Sequence, residues 1–305
     1  MKILLCGASG QLGQELAPRL QALGDVTCVD RAAAPGDRSI VKQDLSDLNR
    51  LEILLNRLAP DLLVNAAAYT AVDRAESEHE TAFRLNADLP GCLARWAARH
   101  NRFLLHYSTD YVFSGEAGRP YTESDPTEPL NTYGDSKRAG EWQVDASGCQ
   151  HVILRTSWVY SGHGNNFVLT MLRLARERPQ LSIVSDQVGC PTWARNLARA
   201  SVHVVHSARA GGTAPGASGL WHYCDSGVVS WYDFAQAIFA AGLSAGLLER
   251  LPEVRAVRSD DFPQEAERPR YSVLDTTAIQ RDFGIEPAAL EPSLRSCIEE
   301  LKQND

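Results

Sequence analysis

The sequence predicts an α/β protein: a doubly wound, Rossmann-type parallel sheet followed by a smaller α+β substrate region. Three observations lead there. Short, almost wholly apolar runs recur through the first half, as KILLC at 2–6, DLLVNAAA at 61–68, FLLHYST at 103–109 and HVILRTS at 151–157. Strands buried on both faces of a parallel sheet read this way. Between the runs lie stretches with apolar residues at helical spacing, beginning with Leu12, Leu16, Leu20 and Leu23, and strand-helix alternation is the mark of a doubly wound sheet. The first run also closes on a glycine-rich turn, Gly7-Ala8-Ser9-Gly10-Gln11-Leu12-Gly13, where such sheets bind dinucleotides.

Taken in order, KILLC is a strand, 11–23 a helix, VTCVD at 26–30 a strand, 48–58 a helix and 61–68 a strand. A long helix around 80–99 leads into the strand at 103–109, and a helix around 134–145 leads into the strand at 151–157. After residue 158 the rhythm loosens. Helices are expected near 166–177, 193–207, 231–241 and 290–302, strands near 181–185 and 220–224, a surface loop at 210–219 and an irregular segment at 252–272. The domain division is therefore 1–157 for the dinucleotide-binding domain, joined by the helix near 193–207, and 158–305 for the smaller region, with a partly interleaved boundary.

Composition narrows the function classes. With 305 residues, 44% hydrophobic and 22% charged, the chain can bury a large core and a second, smaller one. A formal charge of -8 with no run of lysines and arginines argues against nucleic acid as a partner. No apolar stretch approaches the roughly 20 residues that cross a bilayer, so no membrane partner is expected. Seven scattered cysteines, without a C-x-x-C pair, read as reduced thiols. Met1-Lys2 runs straight into a short apolar strand and not into an export signal, so the expected location is cytoplasmic. A small anionic nucleotide stays compatible with this charge, since helix N-termini hold phosphates locally. Self-association into a homodimer is compatible with the sequence as well.

The three glycines of the turn serve different ends. Gly7 turns the chain, Gly10 admits a pyrophosphate, and Gly13 lets helix approach sheet. Asp30 ends the second strand about 20 residues beyond Gly7, where a carboxylate grips ribose hydroxyls. That favours NADH, whereas the adjacent Arg31 could accept the 2′-phosphate of NADPH, so either cofactor is expected. Asp44 and Leu45 offer a later contact near the adenine, with a helix-start role for Asp44 as the alternative.

Tyr133 and Lys137 lie four residues apart, on one face of a helix. A phenol near pKa ~10 is a reluctant acid or base at neutral pH unless a cation stabilises its phenolate, and Lys137 is expected to supply that cation. Tyr133 would protonate a carbonyl oxygen while hydride arrives from a nicotinamide. Ser108 and Thr109 end a strand at the sheet edge where ligands bind. Successive strand side chains point oppositely, and Thr109 is the one expected to hold the carbonyl, with Asp110 on sugar hydroxyls. His106 and His222 sit in apolar strands and read as structural. No Cys/His cluster has zinc spacing.

These motifs, together with PDLLVNAAAYTAVDRAE at 60–76, HYSTDYVFSG at 106–115, PLNTYGDSK at 129–137, RTSWVY at 155–160 and DQVGCPT at 186–192, resemble the extended short-chain dehydrogenases. Within them the chain is similar to the reductases of keto-sugar nucleotides over nearly its whole length. The resemblance implies reduction of dTDP-4-dehydro-L-rhamnose by NADPH or NADH. It implies that Gln11, Leu12, Ala68, Tyr69, Thr70, Tyr107 and Lys137 line the cofactor, and that Thr70, Val72, Thr109, Asp110 and Trp158 face the substrate. Trp158 would pack on the deoxysugar, and Arg268 could bring its planar fork to the diphosphate. Magnesium is implied by the resemblance alone, since no carboxylate cage is legible. Two other readings stand beside this one: an epimerase or reductase of a different nucleotide sugar, and a dinucleotide-binding regulatory subunit without catalysis.

Overall fold

The computed structural model describes residues 1–31, 39–209, 218–262 and 264–304. The chain alternates as expected through β1 (Lys2–Cys6), α1 (Gln11–Leu20), β2 (Asp25–Asp30), β3 (Ile40–Lys42), α2 (Leu48–Leu58), β4 (Leu62–Asn65) and the short α3 (Val72–Ala75). The predicted long helix is a composite. It runs as α4 (His79–Phe83), a π-helical turn (Arg84–Asp88) and α5 (Leu89–His100). There follow β5 (Phe103–Thr109), α6 (Thr132–Ala146), β6 (Gln150–Thr156) and β7 (Val159–Tyr160).

Beyond residue 160 come α7 (Phe167–Glu177), β8 (Gln180–Val184), β9 (Val188–Gly189), β10 (Thr192–Trp193), α8 (Ala194–Arg209), β11 (Gly219–His222), β12 (Val229–Ser230) and α9 (Trp231–Ser244). The chain closes with β13 (Glu253–Val257), α10 (Thr277–Phe283) and α11 (Leu290–Asn304). The loop expected at 210–219 lies outside the described residues except for its last two, and Gly219 already opens β11. The segment expected to be irregular at 252–272 contains β13, which pairs in parallel with β8.

Seven strands form one sheet in the order β11-β6-β5-β4-β1-β2-β3, and every pairing is parallel. Strand alternation sorts its side chains onto two faces. Ile3, Leu5, Val64, Leu105, Leu154 and their neighbours pack against α1 and α8, while Leu4, Leu63, Leu104 and Ile153 pack against α2 and α5. Both α8 and β11 come from beyond residue 158, so the second part of the chain completes the first, and the interleaving is deeper than one shared helix. A third core, with Phe234, Ile238, Phe239, Met171 and Leu294, builds the smaller region.

The sheet is tied to the helix above it by a buried ion pair. Arg155 on β6 donates to both carboxylate oxygens of Glu141 on α6, at 2.8 and 2.7 Å, with both side chains 5% exposed. This fixes α6, and with it Tyr133 and Lys137, over the carboxyl ends of β5 and β6.

Candidate active site

The glycine turn lies at the carboxyl end of β1. Gly7 has φ +80°, and a Cβ there would stand 2.5 Å from the Ala67 nitrogen. A Cβ on Gly13 would stand 2.1 Å from the Gly7 carbonyl oxygen, so Gly13 lets α1 close onto the turn. Gly10 caps α1 without any side chain, which leaves the first N-H groups of α1 without an intrahelical partner. A Cβ on Gly10 would meet only the Gly7 oxygen, at 3.3 Å. The remaining space above the turn is open. This cradle fits a dinucleotide diphosphate, which calls for backbone donors and no side chain. Beside it the Asp30 carboxylate accepts from Ser9 N-H at 3.0 Å, and Arg31 is exposed.

At the carboxyl end of β5, two strands from β1 in the sheet, stand Thr109 and the residues of α6. Asn131 caps α6 by accepting from Gly134 N-H at 2.8 Å, which begins the helix just before Tyr133. Lys137 is buried, and its Nζ donates to the Tyr107 carbonyl at 2.5 Å. Burial pushes its pKa down to about 8. Burial pushes the Tyr133 phenol up to about 12, against the smaller favourable influence of the Thr109 hydroxyl. The Thr109 hydroxyl donates to Asp110 Oδ1 at 3.1 Å and accepts from Tyr111 N-H at 3.2 Å. Burial raises the Asp110 carboxyl to about 7.

A family model described as the RmlD substrate binding domain matches residues 1–303. The chain belongs to that family. A curated relative from Escherichia coli named dTDP-4-dehydrorhamnose reductase is 41% identical over 93% of each chain. One of the same name from Burkholderia thailandensis is 41% identical over 99% of each. Among solved structures, the dTDP-4-dehydrorhamnose reductase of Bacillus anthracis, in complex with NADP, is 30% identical with a TM-score of 0.86, covering 98% of this chain and 99% of its own.

In this RmlD-family chain Gly7, Asp30 and Thr109 lie at the carboxyl ends of β1, β2 and β5 of one sheet, and α6 carries Tyr133 and Lys137, the latter bonded to the backbone of β5. Other residues stand differently from the expectation. The Lys137 ammonium is engaged by the Tyr107 carbonyl, and burial raises the Tyr133 phenol. Tyr107 contributes that carbonyl, while its ring is buried and its hydroxyl donates to Ser201 on α8 at 2.8 Å. Asp44 accepts from the Ser46 N-H and hydroxyl, closing its own turn, and Leu45 is buried in the core. Asp47, not Asp44, caps α2.

Gln11 spends its amide across the cleft, accepting from Ser161 and Asn166 and donating to the Asn165 carbonyl. Leu12 packs on the core beneath the sheet. Arg268 holds Asp73 with two nitrogens, at 2.9 and 2.8 Å, so it joins the chain after Val72 to the C-terminal strap. Trp158 takes a left-handed backbone, φ +46°, and stacks on Trp231 with centroids 3.4 Å apart. Ala68, Thr70 and Val72 lie on the segment after β4 and are not fully buried.

Sequence reasoning missed Asn86. It sits in the π-helical turn, wholly buried, with its side chain accepting from Tyr69 N-H and donating to the Tyr69 carbonyl and to Ser136. Thus it clamps the 68–70 loop to the helix carrying Tyr133 and Lys137. Its only sequence signal is a polar residue in the middle of a helix. His106 and His222 are buried strand residues, as expected. Their basicity is lowered by burial, and next by Lys137 for His106 and by Arg155 for His222. Among the described residues no three His, Cys, Asp or Glu side chains converge as a metal site. Magnesium therefore finds no cage in them, and no step is assigned to it.

Two adjoining clefts open beside the constellation. One, of about 550 Å³, is lined by Phe167, Met171, Leu181, Ile183, Trp231 and Phe262 among others. It shares Gln187, Phe262, Gln264 and Arg268 with a second cleft of about 460 Å³. Neither is lined by Tyr133 itself.

Proposed function

We propose that this chain reduces the 4-keto group of dTDP-4-dehydro-L-rhamnose to give dTDP-L-rhamnose, using NADPH or NADH, as the last step of dTDP-rhamnose formation. The observation that carries the reading is the placement of Thr109, Tyr133 and Lys137 at the carboxyl end of β5, across from the glycine turn. It occurs in a chain 41% identical to proteins of that activity.

The cofactor, when bound, supplies the hydride. The rest of the chemistry belongs to the protein. The α1 N-terminus receives the diphosphate, and Asp30 takes ribose hydroxyls. Thr109 orients the substrate carbonyl, and Tyr133, protonated at neutral pH because its pKa is raised, gives its proton to the carbonyl oxygen. A raised phenol suits a reductase, since the acid enters each turnover already carrying its proton. Lys137, charged below about pH 8, stabilises the phenolate as it forms. The apolar cleft with Phe167, Trp231 and Phe262 offers stacking surfaces for the base, Arg268 supports the diphosphate, and Trp158 borders the deoxysugar. The reading places the protein in the cytoplasm, where both reduced cofactor and activated sugar are found. Among the described residues no helix is long and apolar enough to cross a membrane.

The test is the loss of reduced-nicotinamide absorbance on mixing protein with dTDP-4-dehydro-L-rhamnose, for NADPH and NADH separately. Oxidation by the parent, largely lost in Tyr133→Phe and Lys137→Ala, is the expected result. A folded parent that binds dinucleotide yet oxidises none overturns the substrate assignment. Function then moves to another nucleotide sugar or to a binding-only role.

A further inference from the structure

Gln11 opens α1, so its backbone N-H stands among the first donors of the helix, at the turn that the proposed function gives to the cofactor diphosphate. Its side chain goes elsewhere. Oε1 accepts from Asn166 Nδ2 at 2.9 Å and from the Ser161 hydroxyl at 3.2 Å, and Nε2 donates to the Asn165 carbonyl at 3.3 Å. The loop it grips begins 150 residues further along the chain. The two approach closely, for Gly164 has φ +70° and a Cβ there would stand 3.0 Å from Gln11 Cγ.

Asn166 is where this grip meets the smaller region. It is 9% exposed, and its side chain has two tasks. Nδ2 donates to Gln11 and to the Ser161 carbonyl, both at 2.9 Å, while Oδ1 accepts from Leu169 N-H at 3.1 Å and so caps α7. The next residue, Phe167, packs on Trp231 with centroids 4.5 Å apart, and Trp231 in turn stacks on Trp158. Phe167, Met171 and Trp231 line the cleft of about 550 Å³. One asparagine amide therefore holds the start of the helix that walls this cleft and, at the same time, the first side chain of the helix at the glycine turn.

We propose that Gln11 and Asn166 form a bridge through which a dinucleotide at the glycine turn and a sugar nucleotide in the cleft beside α7 strengthen each other's binding. This rests on the reading of those two places as the ligand sites. A ligand that fixes the backbone of Gln11 steadies the 161–166 loop and the α7 cap, so the second ligand meets a wall already ordered and loses less freedom on binding. Linkage makes the effect equal in both directions. Gln11 and Asn166 are positioning residues, and the bridge asks neither to touch a reacting atom.

The experiment is calorimetric titration of the whole protein with dTDP, first free and then saturated with NADPH, a pair that cannot react for want of a keto sugar. In the parent, dTDP is expected to bind at least about fivefold tighter when NADPH is present. Gln11→Ala removes the bridge at one end. Asn166→Ser removes it at the other, because serine still caps a helix but is too short to reach Gln11. Both variants and their double should show one common ratio, about one, since they break the same link. Hydrogen exchange supplies a second reading that a merely structural role would not move: NADPH alone should protect the amides of 161–170 in the parent but not in Gln11→Ala. A parent that binds both ligands without mutual effect overturns the bridge alone, as does a ratio or a protection that survives in the variants. A parent that binds NADPH but no dTDP removes the reading of the cleft, and the bridge with it. Should one variant not fold, the other and the parent decide by the same ratios.

Discussion

Replacing Gly10 by alanine separates the glycine that serves a ligand from those that serve packing. Gly10 has φ -72° and ψ 168°, a conformation open to any residue, and a Cβ there meets only the Gly7 oxygen at 3.3 Å. The variant therefore folds. Alanine is a poorer helix cap than glycine by about 0.5–1 kcal/mol, a Tm loss of a few degrees at most in a chain of this size. The methyl group projects instead into the open space over the α1 N-terminus, where the proposed cofactor site would receive the diphosphate. Loss of one charge-assisted hydrogen bond there costs about 1.5–3 kcal/mol, or about 10- to 150-fold in affinity. Gly13→Ala is the contrast, because its Cβ would stand 2.1 Å from the Gly7 carbonyl oxygen, so it loses stability first. Titration of the nucleotide by quenching of protein fluorescence, with thermal melts alongside, reads both effects. If Gly10→Ala binds NADPH within about threefold of the parent, a difference below 1 kcal/mol or so, the diphosphate does not sit on this turn.

Other expectations follow from buried charge. Lys137 has its pKa lowered to about 8, so the folded state binds fewer protons than the unfolded state between that value and about 10.4, the ordinary lysine value. Its burial thus costs stability fully below pH 8, and the cost fades as pH rises through that window. Lys137→Met should abolish reduction yet raise the Tm at pH 7 by a few degrees, with the difference gone near pH 10. Melting temperatures measured across pH test this, and a variant less stable than the parent at pH 7 contradicts it. Glu141→Ala strands Arg155 as a buried cation and should cost about 3–5 kcal/mol, whereas Glu141→Leu with Arg155→Met should lie close to the parent in urea unfolding. A double variant as unstable as the single one refutes that account. Asp73→Asn weakens the grip on Arg268, and a KM for the sugar nucleotide raised several-fold with kcat little changed is the expected kinetic result.

Much of the fold was legible because parallel strands buried on both faces leave unbroken apolar runs. FLLHYST is β5 to the residue, and the 48–58 periodicity is α2 to the residue. What escaped was short or half-solvated. β3 has three residues, α10 seven, and β13 carries Glu253 and Arg255 on a mostly exposed ribbon, too little apolar surface to announce a strand. At the site, residue identity and sheet position together located Thr109, Tyr133 and Lys137. Sequence could not say where a long side chain spends its hydrogen bonds. Tyr107 turns its hydroxyl away to Ser201, Gln11 reaches the 161–166 loop, and Arg268 is taken by Asp73. Asn86 shows the same limit, for its partners are brought to it only by the π-helical turn.

The return of α8 and β11 to the first sheet has a bearing on how the molecule comes into being. Val152 and Leu154 of β6 face α8, and the backbone edge of β6 pairs with β11, so a chain ending near residue 157 would display a sticky margin and a bare apolar floor. The nucleotide-binding half cannot be finished until residue 222 has left the ribosome. By then the whole segment from α7 to α8 already hangs from it. Such a protein matures as one unit. A designer who wishes to borrow its cofactor cradle must take both crossings of the chain, or provide a substitute cover for β6.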